Sequence, residues 1–419
     1  MQTNNQNKIV VSAAFVLLIA IFYFYDNYMV IGGFGVGYQY IGCAMVVLLG
    51  FGWFLIEPDP MYLGRSVKMS VIIALPYVVI MLCTAVIWTF DFTPIRQMIS
   101  GFFAPSYMIL CIVCAGFLAY IFRDRAVEYS FWALAIVYVV MALQKLRIFG
   151  VSEFIRRMIY YLRSGGSASG GVSLESTDLA YSFAFFALYF LWCREKETAW
   201  KSALRWGVVI LGLLQTFKRS ALLALAVGWI VAYLYYRLSR QNRKLFLNCV
   251  VVGFILCAFF LIPVIRSGLF NKIVDELHIN TSTRTRIYAY YNQYYDFSPF
   301  YIGKGLGWIH RLTTTSDWTI GVHCDYVMYY IELGFAGYLV WLAAVFPLIV
   351  KFSAKGKAPL SDAVILGLCV AMAILRITEN ISQLYSANLT ISIVMVQCGV
   401  NQWSELKSGK LCSEESPKP

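Results

Sequence analysis

Apolar runs of bilayer-crossing length recur from one end of this chain to the other, and polar residues collect in the gaps between them. The runs fall at 9–25, 38–56, 69–90, 102–121, 129–144, 178–192, 206–217, 220–236, 245–265, 326–350, 361–376 and 386–400, and they predict twelve helices. Two of them, 206–217 and 361–376, are short for a crossing, so each needs flanking residues or a place inside the bundle. The pattern predicts an all-α polytopic membrane protein, with residues 1–419 as one integral membrane domain. Only two gaps are long, 145–177 and 266–324. Residues 401–419 form a polar tail.

Composition points the same way. Of 419 residues, 60% are hydrophobic, 17% aromatic and 13% charged, whereas roughly a quarter of a soluble domain is charged. Charge then orients the bundle. With the N-terminus inside, alternate short connectors carry 19 of the 34 lysines and arginines. Short connectors decide orientation, so both termini, the 401–419 tail included, are expected to be cytoplasmic and both long segments to lie outside. The net charge of +12 is then this bias plus contact with anionic lipid, not a nucleic-acid footprint. Met1 to Lys8 precedes a first run without a small-residue cleavage site, which reads as an uncleaved helix. Of eleven cysteines, Cys324 lies in an outer loop, and one thiol builds no disulfide framework. Cys111 and Cys114 sit mid-run and read as packing.

The outer segments carry the candidate chemistry. In the first, 152–163 has the pattern of an amphipathic helix on the membrane, with Phe154, Met158 and Tyr161 on one face. Arg163, a Gly-Ser run at 164–171 and Glu175-Ser-Thr follow. The Gly-Ser run is either a linker or a backbone able to approach a ligand closely. The second segment holds all three histidines, His278, His310 and His323. Their spacing matches no metal-ligand set, so hydrogen bonding or general-base work is the expectation. Its aromatic stretch, Tyr288 to Tyr301, reads as rings at headgroup depth or as a platform for sugar rings.

Where that segment meets the next apolar run, Gly303-Lys-Gly-Leu-Gly307 is followed by His323-Cys-Asp325-Tyr and Glu332-Leu-Gly-Phe-Ala-Gly337. Asp325, Tyr329 and Glu332 are spaced i, i+4 and i+7 and share a helix face. Asp325 suits a helix start as a cap or dipole partner. Glu332 lies deeper and demands a partner, with Arg219 the candidate. Lys218 and Arg219 occupy a tight turn between two runs. They either snorkel to the surface or form an anion clamp suited to phosphate or pyrophosphate, with Arg284, Arg286 and Arg376 as further cations.

Together these residues resemble the O-antigen polymerase and ligase superfamily. The resemblance rests on Gly303-x-Gly-x-Gly, His323-x-Asp-Tyr and Glu332-x-Gly334-x-x-Gly337. Thr216-Phe-Lys-Arg219-Ser, Thr285-Arg286-Ile-Tyr288, Ser298-Pro-Phe-Tyr-Ile-Gly303, and Arg163 with the Gly-rich run and Glu175 add to it. It covers roughly residues 160–340 and departs at Cys324, where the family often has asparagine, at Thr285 and at a serine replacing a proline.

The resemblance implies a GT-C-like glycosyltransferase of the bacterial inner membrane, working without cofactor or metal. Its donor would be a glycan on undecaprenyl pyrophosphate, and its partners membrane lipid and a chain-length-regulating membrane protein. A polymerase of repeat units is the expectation, favoured by the long basic first loop. The alternatives are a ligase transferring the chain to lipid A–core, or a lipid-linked glycan flippase. His323, Asp325 and Glu332 would supply base and orientation. Arg219 and Arg286, with Lys218, Arg163, Arg284 and Arg376 behind them, would hold the pyrophosphate, and Gly303, Gly305 and Glu175 would line the substrate.

Overall fold

The computed structural model describes residues 2–26, 37–90, 95–163, 177–193, 198–216, 218–278, 284–315, 320–354 and 358–407, and every regular element among them is helical. In chain order these are α1 (Gln2–Asp26), α2 (Gly37–Ile56), α3 (Pro60–Phe90), α4 (Ile95–Phe122), α5 (Ala126–Phe149), α6 (Val151–Arg163), α7 (Thr177–Trp192), α8 (Ala199–Thr216) and α9 (Arg219–Arg237). They continue as α10 (Arg240–Arg266), α11 (Leu269–Glu276), α12 (Arg284–Tyr291), α13 (Trp308–Thr315), α14 (Asp325–Ala343), α15 (Ile349–Ser353), α16 (Pro359–Thr378) and α17 (Tyr385–Lys407).

Each apolar run of the sequence lies on a helix, and the two short runs do borrow flanking residues, as α8 and α16. Eight stretches among the described residues are long and apolar enough to cross a membrane, so the chain is an all-α polytopic membrane protein. One of them, 101–149, joins α4 and α5 through a turn at Arg123 with φ 55°. Arg163 ends the backbone of α6, whereas Glu175 and the Gly-Ser run lie outside the described residues.

Burial separates centre from flank. Only 11% of the α10 span is buried within the protein, against 78% of the α16 span. Nearly all of α7 is buried too, and α17 turns Ser386, Asn388, Thr390, Ser392 and Gln397 inward. That explains why α17 is not among the eight: a central helix meets protein rather than lipid, so it tolerates polar side chains, such as Asn388, which bonds Tyr77, Ile381 and Leu384.

Two features set the site end of the bundle. First, α9 and α16 cross where Gly228 meets Gly367; a Cβ on Gly228 would come 2.7 Å from the Gly367 carbonyl oxygen. The glycines lie some ten residues from the start of α9 and the end of α16, so this close crossing brings Lys218 near Glu379.

Second, α14 is broken at Gly334, whose backbone has φ 71° and ψ −177°. A broken helix inside a membrane protein leaves carbonyls and amides that need partners. The segment 301–305 supplies them. Lys304 N–H donates to Ile331 O at 3.1 Å, Gly305 N–H to Glu332 O at 2.8 Å, and Phe335 N–H to Tyr301 O at 2.8 Å. Only glycine permits this approach, because a Cβ on Gly334 would lie 2.2 Å from the Ile302 carbonyl and one on Gly303 2.4 Å from Gly334 N.

Candidate active site

The broken helix and its docked loop build one wall of a cavity of about 860 Å³. It lies at the end of the bundle where α2, α4, α14 and α17 begin, and α13 roofs it. Glu332, Tyr329, Ser382 and Arg311 line it, with aromatic rings of Tyr40, Phe103, Tyr107 and Tyr385 opposite. Gln39 and Asn380 are among the lining residues, and their side-chain oxygens, closed off from solvent, have no hydrogen-bond partner among the described residues. A cavity lined by aromatic rings, amides and hydroxyls suits a ligand rich in hydroxyl groups or a body of water.

Glu332 is buried, and its Oε1 accepts from Ile309 N–H at 3.3 Å. The amides of Gly307 and Trp308 face it as well, with Arg311 one turn on. The carboxylate thus sits on the first turn of α13, where free N–H groups and the helix dipole favour a negative charge. Arg219, the partner expected from sequence, does not fill that role. The reason is topological: the docked loop delivers the α13 start to Glu332 before any cation from the α9 turn reaches it.

Asp325 lies in the first turn of α14, where a carboxylate complements the helix dipole, but Cys324 holds the flanking position and Asp325, fully buried, is not the cap. Its Oδ2 accepts from Ser382 N–H at 3.0 Å and its Oδ1 from Ser382 Oγ at 2.7 Å. Arg376 stands 3.7 Å away and lies over the Trp341 ring. Arg376 is itself buried, so its charge compensates Asp325 inside the protein and is not presented to a ligand. That contradicts its expected place in an anion clamp.

A second group of polar residues lies beside the cavity. Arg284 Nη2 donates to Thr378 O at 2.7 Å and stands 3.6 Å from the Glu379 carboxylate. His323 Nδ1 is also 3.6 Å from Glu379, with its side chain 48% exposed. Lys218 adds its charge to the same carboxylate, and Ser220 at the start of α9 bonds Tyr181 at 3.0 Å. Burial works to raise the Glu379 carboxyl, but His323, Lys218 and Arg284 outweigh it and hold it below its ordinary value. Lys218, Arg284 and His323 thus gather around Glu379, and Asp178 brings a second carboxylate near Tyr181. The segments 320–324 and 378–383 divide it from the cavity: Gly321 and Asn380 line the cavity, while His323 and Glu379 face the rim.

The other sequence candidates fall around these two regions. Arg219 is exposed at the first position of α9, next to Lys218. Arg286 is exposed and, two positions from Arg284 on α12, points to a different face. Gly303 and Gly305 do make close backbone approaches, but to α14 and to Trp88, whose Nε1 a Cβ on Gly305 would meet at 2.2 Å. The aromatic stretch is largely internal: Tyr288, Tyr291 and Tyr295 are buried, and Tyr301 stacks on Tyr330 at 5.6 Å. Of its rings, Phe300 is 91% exposed. His278 lies in the turn after α11. Among the described residues no group of three or more His, Cys, Asp or Glu is placed to hold a metal ion.

Sequence reading missed Glu379, Asn380, Ser382 and Arg311. A signal for the first three was present, since Thr378-Glu-Asn-Ile-Ser-Gln383 is a polar break between two apolar runs. Arg311 had none, because its place follows from the docked loop. No protein-family model matches this chain, and no curated protein matches it.

Proposed function

We propose that this chain is a polymerase that joins undecaprenyl-pyrophosphate-linked oligosaccharide repeat units at the outer face of a bacterial inner membrane. The chain then crosses twelve times, with both termini cytoplasmic, and the cavity and rim open outward. The observation that carries the reading is the pairing of two unlike sites at one end of the bundle. The cavity, with its aromatic rings, amides and hydroxyls, suits a neutral, hydroxyl-rich glycan. Next to it the Lys218–Arg284–His323 rim suits a diphosphate. The resemblance of the 160–340 motifs supports the same substrates.

The reaction these sites fit is displacement at an anomeric carbon. An acceptor hydroxyl in the cavity attacks the donor sugar, and the bond to the pyrophosphate breaks. The rim cations stabilise the negative charge that develops on the leaving group. Arg219, exposed at the α9 start, and Arg286 add positive charge around the path. A membrane partner that sets chain length belongs to this reading as well.

Arg219→Ala and His323→Ala, expressed at normal level, are expected to leave surface polysaccharide as single repeat units. Loss of all attached chain, including one-unit species, would point instead to a ligase. Lipid-linked units accumulating on the cytoplasmic face would point to a flippase. Normal polymer length in both variants would overturn the assignment.

A further inference from the structure

The cavity contains a hydrogen-bonded pair that the proposed reaction has not yet used. Ser382 lines it from the short turn between α16 and α17. The Ser382 hydroxyl donates to Asp325 Oδ1 at 2.7 Å and accepts from Tyr329 Oη at 2.8 Å. A serine oxygen has two acceptor positions. One is taken by Tyr329, and the other has no partner among the described residues. The hydroxyl therefore stands with one acceptor site available and its own proton already directed to a buried carboxylate.

The backbone around it is fixed from several sides. Ser382 N–H is held by the same Asp325, and Ser382 O accepts from Tyr77 Oη at 3.1 Å. The single Tyr77 proton is shared between Ser382 O and Asn388 Oδ1, 3.0 Å away, and the Asn388 amide bonds Ile381 O and Leu384 O. Elements α3, α14 and α17 thus converge on one serine. Such a network holds a hydroxyl in one orientation, as proton transfer requires. Glu332, the carboxylate on the cavity lining, is engaged differently: its oxygen accepts from the α13 backbone.

We propose that Ser382, backed by Asp325, is the group that takes the proton of the acceptor hydroxyl in the cavity. This rests on the polymerase reading. As the acceptor oxygen bonds to the anomeric carbon, its proton passes to Ser382 Oγ, and the Ser382 proton passes to Asp325 Oδ1. The C–O bond to the pyrophosphate breaks at the same time and the leaving group keeps that electron pair. Asp325 then returns the proton through Ser382 to solvent. Arg376 keeps the buried Asp325 charge compensated between turnovers, which makes it a positioning residue. The charged and titratable groups facing Asp325 include Arg376 and Glu379 from the end of α16, Tyr77 from α3, and Cys324, Tyr326 and Tyr329 from its own segment.

The test uses the full chain in proteoliposomes, with undecaprenyl-pyrophosphate-linked repeat units purified from a host lacking this protein. Ser382→Ala and Asp325→Asn are expected to lower kcat by about 100-fold or more, the usual scale of general-base removal, with KM little changed. Ser382→Thr, which keeps a hydroxyl, is expected to recover most of the rate. The pH profile of the rate is expected to differ between wild type and Ser382→Ala. If Ser382→Ala keeps the wild-type kcat and pH profile, or if Ser382→Thr is as inactive as Ser382→Ala while both melt like wild type, the pair is structural and the proposal falls. If the wild type itself makes no polymer, the reading beneath it falls first, so the two failures are distinguishable. Should Asp325→Asn fail to fold, the serine variants decide alone.

Discussion

The cavity and the rim share one end of the bundle, yet they treat charge in opposite ways. In and behind the cavity wall each carboxylate is matched within the protein: Asp325 by Ser382 and Arg376, Glu332 by the α13 start. On the rim, Lys218, Arg284 and the half-exposed His323 gather around Glu379. The cavity therefore offers polar contacts whose charges are matched, and the rim gathers cationic groups of which His323 reaches solvent. A buried charge needs its partner in order to fold, whereas an exposed one is available to a ligand. The same residue types thus hold structure in one region and suit binding in the other.

Breaking the cavity's internal pairing is expected to have the largest effect on stability. Arg376→Ala leaves Asp325 buried without compensation, for an expected loss of about 3–5 kcal/mol. Thermal melting of the purified protein in detergent checks it, and adding Asp325→Asn to the same chain is expected to restore part of the loss. Were Arg376 a ligand clamp instead, the single variant would melt like wild type.

Gly334→Ala comes next. The new Cβ meets the Ile302 carbonyl at 2.2 Å in a backbone with φ 71°, for a strain of about 1–3 kcal/mol. The 301–305 segment is expected to leave α14, exposing the 303–307 loop to protease. Unchanged protease resistance would show that the loop is held by something other than the helix break.

On the rim the expectation reverses, with a large effect on rate and a smaller one on folding. Lys218→Ala with Arg284→Ala is expected to lower kcat for polymerisation by roughly 100-fold, the scale of removing a charge-stabilising group, with a stability loss of about 1.5–3 kcal/mol, below that of Arg376→Ala, from the lost Arg284 hydrogen bond. A pair of variants that melts far below wild type yet retains its rate would erase the distinction between the two regions.

The smallest effect is a pH dependence. Because Glu379 is held below its ordinary 4.5, its contribution to stability is complete above that value and is lost as pH falls through the lowered one. Melting curves of wild type are expected to drop more steeply than those of Glu379→Gln on the acid side. Parallel curves would mean that the rim does not hold this carboxylate as an anion.

The helices were legible from hydrophobic periodicity because each run has to bury or shed its polar groups along its own length. The i, i+4, i+7 face of Asp325, Tyr329 and Glu332 was legible for the same reason, and Tyr329 and Glu332 do line the cavity. What periodicity does not carry is pairing across the bundle. Ser382 lies 57 positions from Asp325 and is brought to it by the packing of α14 against α16 and α17. Likewise, the close spacing of Gly303, Gly305 and Gly307 signals tight backbone approach. The sequence does not say that the surface approached is the chain's own broken helix. Arg376 misled for a related reason: a cation at a helix end reads as exposed until its neighbours are known.

The most direct measurement is polymerisation by the purified chain alone, in proteoliposomes given undecaprenyl-pyrophosphate-linked repeat units and no lipid A–core. The account predicts a ladder of products differing by one repeat unit, with undecaprenyl pyrophosphate released at each step. Substrate recovered unchanged, or glycan moved only when lipid A–core is supplied, would contradict it.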